Sequence, residues 1–332
     1  MIPAPAGGGR PDGPVRTIFF GSGAFAVPIL DALAGDPGLQ LVGVVTAPDR
    51  PAGRRGVLTP VPVAARATGL GLPLLQPSGL RDAAAVDALG SLEPALGVLA
   101  DYGRLVPQAV LSIPPQGFLN VHPSLLPRHR GAAPIPATIL ADDPRAGVTL
   151  MAMDAGLDTG PIVAAAAWPL TGVETAPELE SRAATEGAAL LLASLGDWLA
   201  GRLVARPQDE AAATLTRPLR REDGRLDGAT PARLLERRVR AYLPWPSTFV
   251  EMDQGRVAVH RAEVAPTEPG DRAGTLVEDG AGIALATVED RLRLLEVQPA
   301  GGRAMSSEAW LRGHPGALGA TVIGRDGAVA DR

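Results

Sequence analysis

At 332 residues, 46% of them hydrophobic, the chain is long enough for two domains that each bury a core. It has no cysteine, which excludes disulfides, thiolate metal sites and cysteine nucleophiles. The formal net charge of −5 argues at first against a nucleic-acid partner, but all 31 basic residues are arginine and they are unevenly spread.

The Pro/Gly-rich opening stretch lacks the apolar core of a signal peptide and reads as a disordered tail over residues 1–14. Val15 to Phe20 predicts a buried strand, and the turn beginning Gly21-Ser22-Gly23 opens a helix running to about Leu33. Leu39 to Val45 is a second strand, Val61 to Thr68 a helix, Leu72 to Leu75 a short strand and Ala83 to Leu89 a helix. Strands follow at Leu96 to Ala100 and Gly117 to His122, then at Val148 to Met153, with Pro161 to Trp168 as its hairpin partner. Apolar β-rich runs alternating with helices predict a doubly wound, mostly parallel α/β sheet. A long helix from Ala176 to about Leu199 closes this part, with Pro177 in its first turn and Gly201 beyond its end. The expected domain spans 15–205, and 206–222 reads as a polar linker. Residues 223–332 begin with a helix from Pro231 to Arg240, then show short strands between Gly and Pro turns, the pattern of a small β-barrel.

Asn120 and His122 stand two apart at the end of a strand, so both side chains point to one face. An amide donor beside an imidazole can polarise a carbonyl and manage a proton, and a carboxylate alongside would orient the ring. The candidates for that carboxylate are Asp154 and Asp158, the latter between Gly156 and Gly160. Gly21-Ser-Gly23-Ala-Phe-Ala26 also fits a dinucleotide fingerprint, but no acid closes the second strand, so a tight packing turn is preferred. Between Arg217 and Arg240 eight arginines face four acids, and Arg50, Arg54 and Arg55 form a second basic cluster. Two such clusters point to a phosphate-rich partner. No apolar run approaches the ~18 residues of a membrane span, and the four histidines lack a metal-ligand spacing. A cytoplasmic monomer without metal or membrane association is the expectation.

The string Asn120-Val-His-Pro-Ser-Leu-Leu-Pro127 with Gly156-Leu-Asp158-Thr-Gly160 resembles the formyltransferases that draw on 10-formyltetrahydrofolate. Ala47-Pro-Asp-Arg-Pro-Ala-Gly-Arg54-Arg55, Arg128-His-Arg130-Gly-Ala-Ala-Pro134 and Val239-Arg-Ala-Tyr-Leu-Pro-Trp-Pro246 are similar, more narrowly, to methionyl-tRNA formyltransferases. The resemblance runs from about Val15 to Gly313. It implies a catalytic domain followed by an OB-like barrel that helps hold tRNA, and transfer of a formyl group from 10-formyltetrahydrofolate to the amine of initiator methionyl-tRNA. It also implies that Asn120, His122 and Asp158 are catalytic. Ser124, Leu125, Leu126 and Pro127, with Asp101 and Tyr102, would line the folate pocket. Arg54, Arg55, Arg220, Arg221, Arg237 and Arg238 would meet tRNA. Asp101, Pro136 and Gly228 depart from the pattern, where a small residue, a Gln and a Trp are usual. His129 is expected at the surface or in a substrate loop. The alternative is a formyltransferase acting on an amino sugar or another small amine with the same trio.

Overall fold

The first part of the chain folds by alternating short, nearly all-apolar strands with helices, because a strand buried on both faces has no place for polar side chains. The computed structural model describes residues 13–52 and 56–324. The expected tail, apart from residues 13 and 14, lies outside the described residues, as do Arg54 and Arg55. In chain order the elements are β1 (Val15–Gly21), α1 (Ala26–Gly35), β2 (Leu39–Val45), β3 (Arg50–Ala52), β4 (Val57–Thr59), α2 (Pro62–Gly69), β5 (Leu74–Leu75) and α3 (Ala83–Gly90). There follow β6 (Leu96–Ala100), α4 (Gln108–Leu111), β7 (Phe118–His122), β8 (Arg130–Gly131), α5 (Pro134–Leu140), β9 (Arg145–Ala152), β10 (Ile162–Pro169), α6 (Ala176–Leu199) and β11 (Leu215–Thr216).

Seven strands form one sheet in the order β10-β9-β7-β6-β1-β2-β5. The run from β7 to β5 is parallel, while at one edge β9 pairs antiparallel with both β7 and β10. Every residue of β6 and β7 is buried. Phe20 anchors the core, with the Tyr102 and Phe118 rings edge-on to it at centroid distances of 5.3 Å. On α6, Gly187 lets the helix close on β7, since a methyl group there would fall 2.7 Å from a Val121 methyl. Strands β3 and β4, the first of which opens at Arg50 of the basic cluster, pair antiparallel, and Val57 and Leu58 of β4 are exposed.

The second part holds α7 (Ala232–Ala241), β12 (Thr248–Met252), β13 (Gly255–Ala265), β14 (Leu276–Asp279), β15 (Gly282–Ala286), β16 (Arg291–Pro299), β17 (Met305–Ser306) and α8 (Ser307–Gly313). Its antiparallel sheet runs β12-β13-β16-β15-β14, with β17 on β16. The β13–β16 register shifts twice, between Val259 and Arg261 and between Arg261 and Ala262. Such irregularities bend a strand, and the sheet curls into a half-barrel. Its core takes Ala232, Leu235 and Val239 from α7 and Trp310 from α8.

Cα proximity divides the chain into two compact units. One comprises the described residues up to Pro134, Arg145–Pro169 and Glu180–Thr216. The other comprises Ile135–Pro144, Leu170–Leu179 and the described residues from Arg217 onward.

Candidate active site

The carboxyl ends of parallel strands expose unpaired backbone and loop residues, which is why open α/β sheets bind ligands there. Asn120 and His122 lie at that end of β7, both buried. The chain then turns through Ser124, whose hydroxyl donates to Arg128 O at 2.7 Å. Thr149 on β9 fixes the same turn, donating to Ser124 O at 2.7 Å and accepting from Leu126 N at 3.1 Å. Leu125 lies over Gly147, where a methyl group would fall 2.3 Å from its Cδ2. The segment from Ser124 to Pro127, with a cis Leu126–Pro127 bond, is thus anchored onto β9.

Asp158 joins the pair from the loop between β9 and β10. Its Oδ1 accepts from Asn120 Nδ2 at 3.4 Å, and its Oδ2 lies 3.7 Å from His122 Nδ1. Oδ2 also accepts from Gly131 N at 2.8 Å, which tethers the carboxylate. Asp158 stands at φ 54°, a left-handed conformation that an acid tolerates only under constraint. Gly160 supplies part of that constraint, because a methyl group there would fall 1.9 Å from Ala152 O. Asp154 instead closes the loop on itself, its Oδ1 accepting from Gly156 N at 3.0 Å and from Thr159 Oγ1 at 2.8 Å.

The protonation of His122 follows from its neighbours. Nε2 lies 3.2 Å from His129 O, a carbonyl that can only accept, so the neutral ring carries its proton on Nε2 and keeps a lone pair on Nδ1. Burial first, against the opposing pull of Asp158, holds its pKa below the ordinary 6.5.

The stretch expected as a linker forms part of the wall. Arg206 pairs with Ile162, each N–H donating to the other's carbonyl at 2.8 Å. Gln208 Nε2 donates to Asp158 O and Gly160 O, both at 2.7 Å, while its Oε1 accepts from Arg130 Nε and Nη2 at 3.0 and 2.8 Å. Arg130 is buried and also pairs with Glu210 at 2.7 Å. Thr214 Oγ1 accepts from His129 N at 2.8 Å, and β11 pairs with β8. His129, expected at the surface or in a substrate loop, is buried at φ 61° and so does not lie at the surface; the pairing of β8 with β11 and the Thr214 hydroxyl enclose it. Gln208 and Thr214 carry no motif, whereas Gly131 lies within the Arg128 to Pro134 string.

Asp101 follows β6 at φ 43°, and its carbonyl accepts from Ser22 N and Gly23 N at 2.9 and 3.2 Å. The residue keeps exposed surface, but its carboxyl is tucked over Gly23, where a methyl group would fall 1.6 Å from Oδ2. Burial of that carboxyl, then the nearby Glu180, raises its pKa to about 6. The glycine turn therefore has its amides satisfied internally and a carboxyl above it. A dinucleotide phosphate needs free amides and no negative neighbour, so that use of Gly21 to Ala26 is unsupported. Tyr102 is buried against Phe20.

Of the arginines expected to meet tRNA, Arg220 and Arg221 are exposed and enter no ion pair among the described residues. Arg237 is paired with Asp142, and Arg238 is half-buried with an interaction of its own. No group of three His, Asp or Glu side chains among the described residues is arranged to hold a metal ion.

The family model described as Formyl transferase matches residues 15–195, and that of Formyl transferase, C-terminal domain, matches residues 218–315. The methionyl-tRNA formyltransferase of Chloroflexus aggregans is 46% identical over 301 residues, 90% of this chain and 97% of that protein. That of Thermus thermophilus is 43% identical over 302 residues, 90% and 96% of the two chains. Among solved structures, an N-formyltransferase from Helicobacter canadensis, in complex with folinic acid and dTDP-3-aminofucose, superposes with a TM-score of 0.64. It is 13% identical, covering 84% of this chain and 99% of that one, and so speaks to the fold alone. With both family models in sequence order and relatives of this identity over nearly the whole length, the chain belongs to the formyltransferase family, among the methionyl-tRNA formyltransferases.

Proposed function

We propose that the chain transfers the formyl group of 10-formyltetrahydrofolate to the α-amine of methionyl initiator tRNA. The observation that carries this reading is the convergence of Asn120 and His122 from β7 with a tethered Asp158, in a chain of this family. The folate donor supplies an activated formyl group. Asn120 Nδ2 donates to the formyl oxygen as it gains charge, an interaction worth about 3 kcal/mol by oxyanion-hole precedent. Nδ1 of His122, with its lone pair free, takes the proton of the attacking amine. Asp158 stabilises the imidazolium so formed, which returns the proton to the departing nitrogen. The turn from Ser124 to Pro127, with Asp101 and Tyr102, forms the folate side of the site. Arg220 and Arg221, with Arg54, Arg55 and Arg238, belong to the tRNA side, whereas Arg237, expected among them, is held by Asp142. No helix among the described residues is long and apolar enough to cross a membrane, and the enzyme acts as a cytoplasmic monomer.

The test is a mass-resolved formyl-transfer assay offering initiator methionyl-tRNA and a free amino sugar in parallel. Formylation of the aminoacyl-tRNA alone is the expected result. Preference for the small amine would overturn this assignment.

A further inference from the structure

The chain has eleven aromatic residues, and ten of them are buried; Trp245 alone is exposed, at 57% of its surface. It sits in the loop between α7 and β12, between Pro244 and Pro246, whose rings fix φ on either side. Ser247 N donates to Tyr242 O at 2.8 Å and closes the loop beneath it. The backbone thus holds the indole out into solvent instead of letting it collapse onto the half-barrel.

The loop that carries it packs against an arginine-bearing turn. The turn at Arg221–Gly224 is laid against this loop, so closely that a methyl group on Gly224 would fall 1.9 Å from Ser247 O. Arg217, paired with Asp223 at 2.6 Å, is also close enough to Tyr242 to feel its phenol. Arg220 and Arg221, at the same turn, are exposed and outside every ion pair among the described residues. An exposed π-face on a loop packed against a turn that carries two unneutralised guanidinium groups suits an unstacked base flanked by phosphates. A protein partner matching this surface would need a flat apolar element bordered by acids; RNA offers both features in every nucleotide.

On the premise that the acceptor is a tRNA, we propose that Trp245 stacks on an unpaired base of that tRNA, with Arg220 and Arg221 gripping the adjoining phosphates. Stacking releases no counterions, whereas each phosphate contact does, so the two contributions separate on a salt titration.

The experiment measures binding of unformylated initiator methionyl-tRNA to the full chain from 50 to 300 mM salt. The variants are Trp245→Ala, Trp245→Leu, Trp245→Phe and the pair Arg220→Ala with Arg221→Ala. Trp245→Ala and Trp245→Leu should each lose at least ~5-fold in affinity at every salt concentration with an unchanged slope. Trp245→Phe should keep most of the affinity, and the arginine pair should flatten the slope. In the wild type, bound tRNA should shield the tryptophan fluorescence from iodide, since the other three indoles are buried. Retention of wild-type affinity by Trp245→Leu would overturn the stacking role, because leucine supplies bulk without a π-face. So would a change in sedimentation with tRNA affinity intact in Trp245→Ala, which would make the indole a contact between copies of the chain. If the wild type itself fails to bind the tRNA, the proposed function falls, and this role with it.

Discussion

His122 lies between two acceptors, a backbone carbonyl and a carboxylate, while burial resists the doubly protonated ring that would satisfy both. That opposition makes its titration informative. The ring should be neutral above its depressed pKa, so kcat/KM should rise with pH on an acid limb lying below 6.5. Replacing Asp158 with Asn removes the interaction that raises the His122 pKa, so that limb should move to lower pH while turnover falls at least ~100-fold. A rate–pH profile of Asp158→Asn decides the matter, and an unmoved limb would detach the carboxylate from the imidazole. The same depression makes stability fall as pH drops below 6.5, because the unfolded imidazole takes its proton before the folded one. Asp101 behaves in the opposite sense. Its folded pKa of about 6 exceeds the ordinary 3.8, so the native state binds the proton more tightly and stability declines as pH rises through that window. Asp101→Asn is therefore expected to raise the Tm above pH 6 and to converge with the wild type toward pH 3.8, which calorimetry across pH can follow.

Elements differ in what they reveal beforehand. The strands that line the site were legible, because both are buried throughout: β6 reads as an unbroken apolar run, and β7 is apolar apart from Asn120 and His122. Asn120 and His122 were legible as a pair because a strand's period of two dictates their common face. The 206–216 segment was not, since its contacts use single polar side chains on backbone carbonyls some fifty residues away and leave no periodicity. The β3–β4 pairing escaped for a related reason: its strands are only three residues each, too short for a pattern. Tertiary contacts, rather than local propensity, set the geometry of the Asp158 loop. A methyl group at Gly160 would meet the Ala152 carbonyl, so Gly160→Ala should shift Asp158 and lower the single-turnover rate on the order of 100-fold, as displacements near 1 Å do. Thermal unfolding measured alongside should change far less. A wild-type rate in that variant would show that the loop position is not fixed there.

At the scale of the whole molecule, an acidic chain has to meet a polyanion with part of its positive charge already committed to its own acids. Arg217, Arg225, Arg233, Arg237 and Arg240 are each already paired with an acid. The count of eight arginines between 217 and 240 therefore overstates the positive charge available, which sequence could not show because Glu289, Glu251 and Asp142 lie far off in the chain. Arg237→Ala should leave the salt slope of tRNA binding nearly intact, whereas Arg220→Ala and Arg221→Ala should each reduce it by about one. Equal slopes for all three variants would mean that the pairing with Asp142 does not neutralise Arg237.

The second compact unit gathers Ile135–Pro144 and Leu170–Leu179 together with the described residues from Arg217 onward. During synthesis those two early segments leave the ribosome well before the sheet that completes their unit. Asp142 waits 95 residues for Arg237, about 5–20 s at ordinary elongation rates. Over that interval the nascent chain carries two unfinished segments through an otherwise completing α/β sheet, and a chaperone that binds the emerging chain has its longest opportunity there.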